Sequence, residues 1–260
     1  MKPAQKSTPW RWALAGAFIG LALSAVVFAP ARWLASLVQQ SSQGQVLLTD
    51  PRGSVWTGSA RVTLTGGAGS QEAATLPGRL DWQLTPALTG AGLQLNADCC
   101  MQQAWAMRLQ PRWNGLRVTL SDAQSQWPAG LLAGLGTPWN TVQPQGDLHL
   151  STRGLELNWA AGRLLLAGAV QLDAMNLSSH LSTLRPMGSY RFSLTGGTPV
   201  TLALTTLQGS LQISGSGQWV GGQLRFNGEA SAVAEHEAAL SNLLNIIGRR
   251  NGARSIIKVG

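Results

Sequence analysis

Apolar and polar positions follow three rhythms along this chain. From Trp12 to Ala31 no charged residue occurs, and Arg11 and Arg32 bracket the run. Wound as a helix at ~1.5 Å per residue, the run reaches roughly 30 Å, about the hydrocarbon thickness of a bilayer. It predicts a transmembrane helix over 12–31, with Trp12, Phe18, Ile19, Leu23, Val26 and Phe28 as its anchoring side chains. Next, Trp33, Leu34, Leu37 and Val38 fall on one helical face before a polar Gln/Ser stretch, so 32–43 reads as a short interfacial helix and linker. From Gly44 the period drops to two.

Phrases in which a Gly is followed by apolar residues at every second position recur: Gly78-Arg-Leu80-Asp-Trp82, Gly115-Leu-Arg-Val118-Thr-Leu120, Gly146-Asp-Leu148-His-Leu150, Gly162-Arg-Leu164, Gly168-Ala-Val170, Gly209-Ser-Leu211 and Gly222-Gln-Leu224. Gly turns the chain and the alternation gives each strand one apolar face. The expectation is a mainly β domain over 44–260: an antiparallel meander forming curved or two-layer sheets, with a few short helices. Trp127–Gly136 reads as a short helix, Leu177–Pro186 as a short helix or turn, and Ser255–Val259 as a last strand. In Glu235–Gly248, Leu240, Leu243, Leu244 and Ile247 hold the i, i+3, i+4, i+7 spacing of a helix. The break near Pro128–Pro144 suggests two similar halves, about 44–136 and 137–260.

Charge sets orientation. Lys2, Lys6 and Arg11 precede the apolar run and no acid does. Positive flanks stay in the cytoplasm, so 1–11 is expected to be a cytoplasmic tail and the rest to be exported. Ala29-Pro30-Ala31 also has the form of a signal-peptide cleavage site. The run exceeds the usual apolar core of such leaders, ~7–15 residues, and Trp10, Trp12 and Trp33 sit where interfacial aromatics hold a retained helix. The formal net charge is +8, yet the cations are scattered rather than clustered beside stacking aromatics, which argues against nucleic acid and fits a surface beside anionic lipid.

Catalytic chemistry finds no foothold. His149, His180 and His236 stand on separate segments without a partner motif, and no HExxH, GxSxG or phosphate-cradling glycine loop occurs. Neither a cofactor nor a metal site is expected, and the chain reads as no enzyme. Cys99 and Cys100 are adjacent, so within one chain they either close a vicinal ring or stay free. Of the tryptophans, those beyond Trp33 lie in or beside strand phrases, where core packing competes with a partner or lipid groove. Trp56, Trp82, Leu240, Leu243, Leu244 and Ile247 are the candidate partner or groove contacts.

Several of these phrases, in this order, resemble the N component of the type II (general) secretion system: Pro30-Ala-Arg-Trp33-Leu, Gly53-Ser-Val-Trp56-Thr-Gly58, Gly78-Arg-Leu-Asp-Trp82, Thr137-Pro-Trp139-Asn and Leu240-Ser-Asn-Leu243-Leu244. The resemblance implies a single-pass inner-membrane protein with its bulk in the periplasm. It would support export of folded proteins across the outer membrane by contacting other secretion subunits, and the family offers no catalytic residues to carry over. A looser likeness to envelope bridge proteins, whose curved sheets expose an apolar trough, supplies the alternative: a periplasmic sheet that binds acyl lipid.

Overall fold

The computed structural model describes residues 10–160 and 162–260, so Lys2 and Lys6 lie outside the described residues. Two helices lead: α1 (Trp10–Val27) and α2 (Ala31–Ser41). The strands are β1 (Val46–Gly53), β2 (Thr57–Thr65), β3 (Ala73–Thr75), β4 (Leu80–Ala87), β5 (Gly90–Ala97), β6 (Trp105–Arg112), β7 (Gly115–Leu120) and β8 (Ala123–Pro128). A 3-10 turn (Ala129–Leu135) and α3 (Trp139–Val142) connect to β9 (Gln145–Ala160), β10 (Arg163–Ser178), β11 (Gly188–Thr195), β12 (Thr201–Gly209), β13 (Leu211–Val220) and β14 (Gln223–Ala232). Helix α4 (Glu237–Ile247), β15 (Arg249–Asn251) and β16 (Arg254–Val259) follow.

All strands join one 16-stranded antiparallel sheet in nearly sequential order. Of the two expected arrangements, the single long sheet is the one formed. A twisted open sheet of this width must curl, since twist accumulates strand by strand. Strand order stays simple because tight hairpins join most neighbours.

The expected helix over 12–31 is corrected at its end. Helix α1 has 18 residues and stops at Val27. Its uncharged part, Trp12–Val27, spans about 24 Å, less than the hydrocarbon thickness. Among the described residues no helix is long and apolar enough to cross a membrane. The end is set by the sheet: Val55 N–H donates to Ala29 O (2.9 Å), and Pro30 bridges Ser54. Ala29 and Ala31 are thereby buried in protein.

Two further segments are sharpened. Of the helix or turn expected over Leu177–Pro186, Leu177 and Ser178 close β10 and the rest, with His180, is a turn segment. The Trp127–Gly136 helix begins only at Ala129, as a 3-10 turn, because Trp127 and Pro128 finish β8 opposite Leu148 and Asp147.

The phrases at Gly162 and Gly168 prove to be one strand. Gly168 is a bulge rather than a turn: Arg153 faces Ala169 and Glu156 faces Ala167, so Gly154 and Leu155 share the place opposite Gly168. Gly154 and Gly168 have φ +56° and +84°, and a Cβ on Gly168 would collide with the Gly154 carbonyl. The Asp122 carboxylate accepts the Gly154 N–H at 2.6 Å. A side-chain period of two means that one extra residue exchanges the faces. Leu148, Leu150 and Thr152 before the bulge therefore share a face with Leu157 and Trp159 after it, while β10 keeps Leu164, Leu166, Val170 and Leu172 on that face throughout.

Cover for the apolar face comes in patches. Helix α2 turns Ala31 and Leu34 onto Ala60, Trp82 and Leu48. The 3-10 turn puts Leu131 against Leu76, Ala97 and Met101, and Ala129 against Leu148 and Ala174. Helix α4 lays Leu240, Leu243 and Leu244 on Tyr190, Leu204, Leu211, Phe226 and Ala230. The Tyr190 hydroxyl donates to Leu211 O (3.1 Å), and burial holds its proton in place far above the ordinary tyrosine range.

On the other face, Asp173 lies between His149 and Arg191 in one cross-strand row. Arg191 grips it bidentately, both bonds at 2.7 Å, and this pairing above all holds the Asp173 carboxyl below its ordinary value.

Leu244→Ala is expected to cost about 2–5 kcal/mol, as for other fully buried leucines. The exposed Ile246→Ala should stay within about 0.5 kcal/mol, both read from urea unfolding of the full chain. The Asp173 contribution has a depressed folded pKa. It should be complete above the ordinary carboxylate value of 3.8 and fade as pH falls through the lower folded value. Wild type should lose stability relative to Asp173→Asn over that acid window; parallel pH profiles would refute this.

Candidate functional site

Two features of the sheet are the candidates for contact with other molecules. The first is the junction where α1 meets the β1–β2 turn. Trp56 in that turn donates its indole N–H to Val26 O (2.9 Å), satisfying one of the carbonyls a helix leaves unpaired at its C-terminus. Trp82, opposite Gly58 across β2 and β4, donates its indole N–H to Ser54 O and Val55 O, both at 3.2 Å. Gly58 is required there, since a Cβ would stand 2.6 Å from Trp82 Cζ2. Below the junction, Arg79 reaches Asp50 Oδ2 (2.8 Å) and Asp50 O (2.7 Å), and Arg52 reaches the same carboxylate (2.9 Å). Those two guanidiniums, Arg79 first, lower the Asp50 pKa. The α1 side chains and Phe28 just past the helix stand away from all this: Trp12 is 83%, Phe18 75% and Phe28 77% exposed, with Ile19, Leu23 and Val26 more than half exposed.

The second feature is the upper part of the apolar face, beyond the bulge. Two cross-strand rows lie there. Leu109, Val118, Leu157 and Leu166 form one, and Pro111, Leu116, Trp159 and Leu164 the other. Every member is apolar, and among the described residues no helix lies over them. Trp159 and Leu164 are 54% and 53% exposed. Sequence reasoning did not single these rows out, because the bulge that aligns them is invisible in a period count. The retrievable signal was Leu155, Leu157 and Trp159 alternating after Gly154.

The expected contact residues divide. Trp56 is half-buried at the junction and Ile247 half-buried beside the α4 core. Trp82, Leu240, Leu243 and Leu244 are 0–4% exposed, so their apolar area is already covered by this chain. The described face of α4 open to solvent carries Ile246 instead.

Chemistry of another kind is sparse. Among the described residues no group of three His, Cys, Asp or Glu side chains is placed to hold a metal ion. His236 Nδ1 pairs with Ser210 Oγ (2.9 Å) and His180 with Gln145 (3.1 Å). Cys99 and Cys100 are joined as a vicinal disulfide in the β5–β6 connection.

Trp56→Phe keeps the ring and removes the bond to Val26. It is expected to cost about 0.5–1.5 kcal/mol, the usual net value of one hydrogen bond. Amide exchange at residues 26–31 should accelerate in that variant while exchange in α4 stays unchanged; uniform acceleration would mean that Trp56 supports the whole sheet instead.

No curated protein and no solved structure matches the chain. The family model for type II secretion system protein N matches residues 44–257, nearly the whole sheet. A match of that extent shows the family: this chain is a member of the type II secretion system protein N family, a component of the secretion machine that works with its other subunits.

Proposed function

We propose that this chain is a non-enzymatic, membrane-anchored periplasmic subunit that supports export of folded proteins through the type II machine. The carrying observation is a family match that covers the sheet from β1 to β16. Two physical features support the finer role.

Helix α1 exposes apolar side chains around its circumference, a surface that water disfavours and that hydrocarbon accepts. In this reading α1 sits in the inner membrane with its N-terminus toward the cytoplasm. A bilayer meets a short span by local thinning. Helix α2 lies at the surface, with Trp33 and Leu37 outward (53% and 62% exposed) and Leu34 turned onto the sheet. The junction at Trp56 couples anchor to sheet.

Contact with other subunits falls to the sheet and its short helices. The upper apolar rows favour a second reading, in which acyl chains lie along Leu109, Val118, Leu157 and Leu166. These rows offer greasy cover for a lipid tail without any catalytic group beside them.

Full-length protein is expected to stay in the pellet when envelopes are washed at alkaline pH; release into the supernatant would sink the anchored reading. Photo-cross-linkers at Leu116 and Ile246 should capture other secretion subunits in living cells, identified by mass spectrometry. Labelling confined to lipid at Leu116 would favour the acyl-chain reading over the subunit one.

A further inference from the structure

Strand direction sorts the turns of this sheet onto two rims. The β1–β2, β4–β5, β6–β7 and β9–β10 turns share one rim, because each strand is antiparallel to its neighbour. The rim where Trp56 receives the end of α1 is this same one. Register sets how far each turn projects. Leu84 N–H donates to Trp56 O (2.6 Å), and Leu84 pairs with Leu93, which pairs with Met107. From that common level, Leu88 lies four positions farther out along the strand and Trp113 six. At ~3.3 Å per residue these are about 13 and 20 Å.

What sits at those tips is unusual for a water-facing turn. Leu88 and Trp113 are 108% and 106% exposed, fully free of the rest of the chain. Trp159 and Leu164 stand just inside the β9–β10 turn, each about half exposed. Turns in water favour Gly, Asn, Asp, Ser and Pro; a bare Trp and a bare Leu at consecutive tips gain nothing there. Charge follows the same division. Residues 85–92, 110–117 and 159–166 hold Arg112, Arg117 and Arg163 and not one acid. The connections on the opposite rim carry Glu72, Asp98, Glu235 and Glu237.

The geometry points to this rim as a second membrane contact: Leu88 and Trp113 enter the interface of an anionic phospholipid bilayer, with Arg112 and Arg163 against its headgroups. Interfacial Trp beside Arg, without acids, matches what that surface recognises. The rim emerges beside the α1 junction and projects beyond it, so one bilayer would receive both. The assignment rests on the anchored reading of α1 and adds that the sheet is held at a fixed attitude to the membrane rather than swinging on one tether.

The test places a nitrobenzoxadiazole fluorophore at a cysteine introduced at residue 88, 113, 21 or 102, in full-length protein reconstituted into phosphatidylethanolamine/phosphatidylglycerol vesicles carrying nitroxide lipids. Position 102 lies on the opposite rim and position 21 within α1. Probes at 88 and 113 should be quenched several-fold more than the probe at 102, most by nitroxides near the headgroup. The quenching should weaken in an Arg112→Gln/Arg163→Gln variant or in vesicles without phosphatidylglycerol. Quenching at 21 with none at 88 and 113 overturns the rim contact and leaves the anchor standing. No quenching at 21 refutes the anchor; the rim contact then survives only if 88 and 113 are still quenched. Protection of 88 and 113 that appears in whole envelopes but not in vesicles assigns the rim to a protein partner and overturns the lipid assignment.

Discussion

Everything in this molecule answers to one constraint: among the described residues a single sheet has an apolar face and no second sheet to cover it. Burial of that face is the chief favourable term available to a chain with so few charges. The cover is improvised from α2, the 3-10 turn, the turn segment after β10, and α4. Each closes a separate small core, so stability is distributed along the sheet rather than gathered at one centre. The upper rows beyond the bulge receive no such cover, and there the fold offers surface to something else.

The bulge at Gly154 and Gly168 is what makes that surface coherent. The two glycines take positive φ, and Asp122 accepts the amide that the extra residue displaces. Without the slip, Leu157 and Trp159 would lie on the face of Asp173 and Arg191, and the apolar stripe would break at mid-sheet. The same register shift lets β7 and β8 run as two pieces beside one long β9.

Much of this was legible in the residues. The spacing of Leu240, Leu243 and Leu244 gave a helix and its buried face, and most Gly-led phrases gave strands. The illegible parts have physical causes. Gly168 carried the same signature as a turn, since a turn and a bulge both need positive φ. In β5 and β12, Gly and Thr dilute the alternation, whereas β6 (Trp105, Met107, Leu109) and β11 (Tyr190, Phe192, Leu194) alternate cleanly and could have been read as strands. Ala29 to Ala31 looked like hydrocarbon-spanning sequence, yet tertiary bonds to Ser54 and Val55 took those residues into the protein. The contact residues chosen for their bulk were mostly claimed by the core, while Leu88, in a turn with no periodicity, went unremarked and Trp113 was grouped only with the other strand-phrase tryptophans.

The termini of the strand ladder bear on how the molecule behaves in a crowd. At one end, Pro51 withholds a donor and Asp50 kinks the chain at φ +50°; at the other, Arg249 and Arg250 fill a strand only three residues long. Neither offers the long flat template that a neighbouring copy needs to continue the ladder. A second copy therefore finds no ladder to continue at either edge, and any contact there falls to side chains, which can discriminate between neighbours, rather than to backbone, which cannot.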